Sequence, residues 1–316
     1  MTLLEKLKDQ ILIADGAMGT LLYSYGTGTC FEELNLSHSE DILNIHRAYI
    51  EAGADVIQTN TYAANAYKLQ RYGLEDQVKE INRAAVKIAR EAAGHDIFVL
   101  GTIGGNRGIR PQTVPLEDII TSVREQLFVL LEEDVDGILF ETYYDLEELE
   151  TVLKIARKET DLPIITHVTL QEIGILQDRT PLNEAFERLE SLGADVVGLN
   201  CRLGPYHMIK SLEQVNIPQR AYLSAYPNAG FPIFRDGKFQ FEKNAEYFRA
   251  NAHAFRKQGV RLIGGCCGTT PAHIKALADE LKGASVIVEK EIKVEVRERV
   301  VVKPNEPLRT ELPLQT

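Results

Sequence analysis

The chain has 316 residues, 44% of them apolar, and a net charge of −11 spread along its length rather than gathered in blocks. That length exceeds one small domain and suits an α/β barrel of about 250 residues with additions. An acidic chain without a basic stripe argues against a nucleic-acid partner. Charges interrupt every apolar run near the N-terminus, and no stretch approaches the roughly 18 apolar residues of a membrane span. A soluble, cytoplasmic protein with no membrane association is therefore expected.

Short apolar, β-branched runs recur at 11–14, 55–59, 97–101, 137–140, 163–168, 195–199, 220–224 and 260–263. Most lack polar alternation, as parallel strands buried on both faces do. Helical patterns lie between them. Val78, Ile81, Ala85, Ile88 and Ala92 share one face at 3.6-residue spacing, as do Leu116, Ile119, Ile120, Val123, Leu127 and Leu130. Leu146, Leu149, Val152, Leu153 and Ala156 make a third such face. Ser37 followed by Glu40 reads as a capping box opening the helix before the second strand. Ala-Gly-Ala-Asp-Val at 52–56 is matched by Leu-Gly-Ala-Asp-Val at 192–196, each glycine suiting the left-handed residue after a helix. Strand–helix units repeated eight times predict a (β/α)8 barrel over residues 1–284; a doubly wound sheet with fewer strands is the competing architecture. Residues 285–302 alternate charged and β-branched types, and Pro304, Pro307 and Pro313 follow. No pattern there fits the barrel, so 285–316 is expected to be a linker or the start of another domain.

Active sites of this fold form at the C-terminal ends of the strands. Those ends carry Asp15-Gly16-Ala17, then Asn60, Glu141, His167, Asn200-Cys201, Asn228, and Gly264-Gly265-Cys266-Cys267-Gly268. Three of the four cysteines thus fall on one rim, at the sixth and eighth strands. Three thiolates leave a tetrahedral Zn2+ one open position, the design of a catalytic site, and soft sulfur ligands favour zinc over magnesium or calcium. The competing readings are three buried small hydrophobes, or redox chemistry through a strained Cys266–Cys267 disulfide that leaves Cys201 unexplained. Cys30 lies away from any strand end and reads as a non-ligand.

The open position suits water or a substrate thiol. Three thiolates make the ion a poor Lewis acid for water, whereas a thiol of pKa about 8.5 is readily deprotonated by zinc. Asp15 and Glu141 on the same rim suit the ammonium of an amino-acid substrate, and the backbone amides of 16–20 suit its carboxylate. Asn60, Asn200 and Asn228 either touch ligand or serve local turns. His167 is either a base or ligand, or a satisfied barrel-mouth histidine.

Asp-Gly-Ala-Met-Gly-Thr at 15–20, Ala-Gly-Ala-Asp-Val-Ile at 52–57, Thr-Asn-Thr-Tyr at 59–62, Gly-Leu-Asn-Cys at 198–201 and Gly-Gly-Cys-Cys-Gly-Thr-Thr-Pro at 264–271 resemble the homocysteine S-methyltransferase family over about residues 8–284. The resemblance implies zinc-dependent methyl transfer to homocysteine, giving methionine, with Cys201, Cys266 and Cys267 as zinc ligands. It further implies that Asp15 and Glu141 bind the substrate amino group and that backbone near Gly16 and Ala17 binds its carboxylate. The tail is similar to the connector that joins such domains to a methylenetetrahydrofolate reductase domain, which implies a C-terminal reductase partner.

Betaine donors call for a cage of aromatics including tryptophan, the best cation–π partner. The sequence has no tryptophan, and Tyr143 and Tyr144 substitute only in part. Methyltetrahydrofolate, a cobalamin-bound methyl from another module, S-methylmethionine and S-adenosylmethionine remain as methyl donors. Two other functions compete with the enzyme: a non-catalytic zinc- or thiol-binding module serving a partner domain, and a thiol oxidoreductase using Cys266 and Cys267.

Overall fold

The computed structural model describes residues 1–24, 30–108, 115–230, 233–235, 238–241 and 244–292. Its strands are β1 (Leu12–Ile13), β2 (Val56–Gln58), β3 (Phe98–Gly104), β4 (Gly137–Tyr143), β5 (Ile164–Val168), β6 (Val196–Asn200), β7 (Tyr222–Tyr226), β8 (Ile233–Arg235), β9 (Lys238–Gln240) and β10 (Val260–Ile263). Eight of them form one parallel sheet in the order β1-β10-β7-β6-β5-β4-β3-β2. A parallel bridge from Ala14 to Val56 closes the ring between β1 and β2. This is the (β/α)8 barrel that the eight apolar runs predict. The sequence reading has no counterpart for β8 and β9, an antiparallel hairpin inserted before the last barrel strand.

The inside of the ring is filled by Leu12, Ala14, Val56, Leu100, Leu139, Ile165, Val196 and Leu262, and Leu3 and Leu7 pack onto this cluster. Those two leucines come from the helix Leu3–Asp9, whose Thr2 and Glu5 make a reciprocal capping box. Arg261 donates to the carbonyls of Leu7 (3.0 Å) and Lys8 (2.7 Å), taking up orphan acceptors at the end of that helix. The plug thus sits opposite the rim that bears the site. A second, larger core lies between the strands and the surrounding helices, and it includes Ile119, Val123, Leu127 and Leu130 as well as Leu149, Val152 and Leu153.

The repeated Gly-Ala-Asp joints have a double purpose. Gly53 (φ 105°) and Gly193 (φ 97°) are left-handed. The amides of Ala54 and Ala194 reach back to Tyr49 and Leu189, the bond pattern that closes a helix end. The aspartates that follow accept the first free amide of the preceding strand: Asp55 from Ile13 (3.0 Å) and Asp195 from Ile164 (2.8 Å). Asp136 does the same for Val99 at 2.7 Å. Each carboxylate also meets a cation, Lys282, Arg157 and Arg90 respectively.

One expectation needs revision. Ser37 does not open the long helix. It ends the short helix Leu34–Ser37 and bonds Glu33 and His38, while the helix Ser39–Glu51 begins at His38 without a side-chain cap. The first residues of the expected linker touch the barrel: Val286 packs on the core, Ser285 binds Arg256, and Lys290 Nζ donates to the carbonyl of Leu212 and to Gln258. The rest of the expected linker, 293–316, lies outside the described residues. Among the described residues no helix is long and apolar enough to cross a membrane.

Candidate metal centre and substrate site

Cys201 is the first residue beyond β6, and its backbone is left-handed (φ 62°), as are those of Arg202 (60°) and of Thr142 in β4 (59°). Non-glycine residues in this region store strain, and they gather at functional rims. The turn is held by the Cys201 amide donating to Tyr226 O (3.2 Å) and by Leu203 N–H donating to Cys201 O (2.6 Å). Across the rim, Cys266 N–H donates to Pro227 O (2.9 Å) and Cys267 O accepts from Ala229 (3.0 Å). Gly265 N–H donates to Asp15 O at 2.9 Å. The strand ends of β6, β7, β10 and β1 are therefore sewn into one surface. Gly264 has to be glycine, because a Cβ there would stand 2.7 Å from Asp15 O and 2.9 Å from Ala14 Cβ.

The result brings the three sulfur atoms of Cys201, Cys266 and Cys267 within 4.8 Å of one another, with Cys201 and Cys267 3.7 Å apart. A tetrahedral ion with Zn–S bonds of about 2.3 Å requires sulfurs about 3.8 Å apart, so the donor set fits zinc. All four cysteines are free thiols. Cys30 sits elsewhere, 3.9 Å from Glu32 and beside a separate apolar cluster. Ionisation falls unevenly over the three thiols. Hydrogen bonds from Cys266 and Cys267, and then from the Arg202 backbone and Asn228, hold Cys201 well below the usual thiol range against the effect of burial. Cys266 and Cys267, as donors to Cys201 and deeply buried, are pushed up, Cys267 to about 12.

Asn200 joins this cluster to Glu141. Its amide nitrogen donates to Glu141 Oε2 (3.0 Å) and Thr142 Oγ1 (2.8 Å) and lies 3.8 Å from Cys266 Sγ. Asp15, 2% exposed, accepts from the backbone and side chain of Gln58 at 2.9 and 2.8 Å. Among the described residues neither carboxylate has a charged hydrogen-bond partner, although the charge of Lys68 favours ionised Glu141. Burial pushes Asp15 up to about 7, against the hydrogen bonds of Gln58. Burial and then the charges of Cys201 and Asp15 push Glu141 up to about 8. A cation placed between them would restore both to the ionised form.

The other expected residues are distributed as follows. The Gly16 amide makes no hydrogen bond among the described residues, whereas the Ala17 amide donates to Thr269 Oγ1 at 3.0 Å. The Asn60 amide nitrogen bonds Phe31 O (2.7 Å) and Asn35 Oδ1 (3.1 Å). His167 is fully buried in the barrel, paired to Ser224 through Nε2, and burial lowers its pKa to about 3. Three contributors escaped the sequence reading, although each stands at a strand end or inside a quoted motif. Gln58 orients Asp15, and Thr269 ties Ala17 to the Cys266 carbonyl at 2.7 Å. Tyr62 lies against Gly104, with Lys68 Nζ 4.1 Å above its ring. Burial and then the charges of Glu141, Cys201 and Cys266 oppose ionisation of its phenol.

The family model described as homocysteine S-methyltransferase matches residues 12–281. Methionine synthases of Mycobacterium leprae and Mycobacterium tuberculosis are 31% and 32% identical, each covering 87% of this chain. The chain spans about a quarter of the length of these relatives, 25% in each case. Among solved structures, the metallated form of the homocysteine methyltransferase MmuM from Escherichia coli is 25% identical with a TM-score of 0.72, covering 86% of this chain and 96% of that one. A methyltransferase from Methanosarcina mazei, 14% identical with a TM-score of 0.54, shares the fold. With the matched span reaching from the first barrel strand to the last helix, the chain belongs to the homocysteine S-methyltransferase family.

Proposed function

We propose that this chain transfers a methyl group to the thiol of homocysteine, forming methionine, at a zinc ion held by Cys201, Cys266 and Cys267. The observation that carries the reading is the meeting of those three sulfurs on the rim that also bears Asp15 and Glu141. Zinc bound there supplies deprotonation of a substrate thiol at neutral pH. The remaining work belongs to the chain. Asp15, fixed by Gln58, and Glu141, fixed by Asn200, hold the substrate ammonium. The free amide of Gly16 faces its carboxylate. Tyr62 and the strand-end backbone wall the site against water, and holding acceptor and donor in line removes much of the entropic barrier to displacement. The relatives named methionine synthase and homocysteine methyltransferase support the same substrate class.

The test is methionine formation by the purified, zinc-loaded chain. Methyltetrahydrofolate, methylcobalamin, S-methylmethionine and S-adenosylmethionine are supplied separately, and homocysteine binding is followed by calorimetry. Cys267→Ala should lose both zinc, read as metal per chain, and activity. A metal-free but active Cys267→Ala, or a zinc-loaded chain that neither binds homocysteine nor methylates it, would overturn the reading.

A further inference from the structure

Tyr226 ends β7 with no solvent exposure, and its ring belongs to the cluster that fills the barrel. The ring stands edge-on to His167, centroids 4.6 Å apart at 79°, and His167 in turn bonds Ser224 on the same strand. The ring is thus held from beneath. Its hydroxyl has no hydrogen-bond partner among the described residues. Tyr226 stands on the rim itself, in register with Asn200 and with its carbonyl accepting the Cys201 amide at 3.2 Å; burial, then the charges of Asp15 and Glu141, keep its phenol protonated. Both Asp15 oxygens already accept from Gln58, and Glu141 Oε2 already accepts from Asn200.

Buried hydroxyls in folded proteins are paired, and one left unpaired beside a binding site marks a place that a ligand completes. An ammonium carries three N–H donors. Two carboxylates satisfy two of them, and the third would be buried without an acceptor. We propose that the phenol oxygen of Tyr226 is the third acceptor for the substrate ammonium, making Tyr226 a specificity-determining residue that selects amino-acid thiols over thiols lacking the amine. This rests on the function proposed above. Because the phenol stays neutral, it accepts from the ammonium through a lone pair. A site built to pair a polar group of its substrate rejects the analogue without that group far more strongly than an apolar pocket does.

The experiment compares wild type with Tyr226→Phe, which keeps the ring and removes only the oxygen. Zinc-loaded protein is titrated calorimetrically with homocysteine and with 4-mercaptobutyrate, the same thiol acid without the amine, up to the concentration at which the wild type saturates. Tyr226→Phe should weaken homocysteine about tenfold or more, leave 4-mercaptobutyrate unchanged, and retain the wild-type zinc content. In turnover, KM for homocysteine should rise by a similar factor while kcat falls much less. Equal loss for both ligands, or no loss for homocysteine, would overturn the proposal. A wild type that fails to bind homocysteine would instead overturn the function on which it rests.

Discussion

At Asn200 the carboxamide oxygen accepts the Thr142 amide at 2.8 Å, while the nitrogen serves Glu141, Thr142 Oγ1 and, more distantly, Cys266 Sγ. One fully buried side chain therefore fixes a left-handed residue of β4, orients the Glu141 carboxylate proposed to hold the substrate ammonium, and lies 3.8 Å from the sulfur of a proposed zinc ligand. Asn200→Ala leaves the Thr142 amide buried without an acceptor and should cost about 2 kcal/mol in urea unfolding. KM for homocysteine should also rise about tenfold or more as Glu141 loses its donor. Asn200→Asp keeps an acceptor for Thr142 but sets a second negative charge against Glu141. It should recover most of the stability and none of the substrate affinity. Recovery of both would show that Asn200 acts on the fold alone. The same scale shows why the sequence reading chose Asn60 over Gln58. Both stand near the end of β2, but the alternation of faces that points Gln58 to Asp15 ends with the strand. Two residues later the chain has turned, and Asn60 meets Asn35 instead.

The helix Ser39–Glu51 packs His46 into the core with neither ring nitrogen paired among the described residues, and burial lowers its pKa to about 4. The sign follows from proton counts. Between pH 6.5 and 4 the unfolded chain binds a proton that the folded chain refuses, so stability is lost as pH falls through that window. At pH 5 the loss from this one residue is about 2 kcal/mol. His46→Leu removes the titrating group at nearly constant volume. It should match or exceed wild-type stability at pH 7 and gain about 2 kcal/mol on it at pH 5, measured by urea unfolding at both pH values. Parallel wild-type and His46→Leu curves from pH 6.5 to 4.5 would show that His46 does not titrate in this way. Elements like this helix were legible because their buried faces repeat at helical spacing, and the eight strands because parallel strands bury both sides. The hairpin of β8 and β9 was not legible, since two strands of three residues lack the length for a pattern. The start of this helix was misread at Ser37, because the right residue types at capping-box spacing do not show which helix they cap.

Across the whole molecule, the family match ends at residue 281, and the sequence pattern placed the end of the barrel at 284. The packed chain goes further. Val286 lies against the core, Arg256 binds both the carbonyl and the hydroxyl of Ser285, and Lys290 reaches Leu212 O at 2.6 Å and Gln258 at 3.1 Å. Partial burial lowers the Lys290 ammonium to about 8, against the charge of Glu213. The alternation of charge and β-branching hid this because a strand-like pattern predicts a sheet partner. The segment instead touches the barrel outside any strand or helix, with its lysine on the end of the helix Pro205–Leu212. The cation sits where that helix exposes its last carbonyls, the favourable end of its dipole. A chain ending at 284 should therefore be less stable than one ending at 292 by about 2 kcal/mol, from one half-buried valine and the hydrogen bonds of Ser285 and Lys290. Zinc content and homocysteine affinity should be equal in the two, because every residue of the rim lies before 284 in both. Urea unfolding of the two zinc-loaded truncations, with metal analysis and calorimetry alongside, checks both parts. Equal stability would show that these contacts add nothing to the barrel, and a difference in homocysteine affinity would mean that the segment reaches through the barrel to the site.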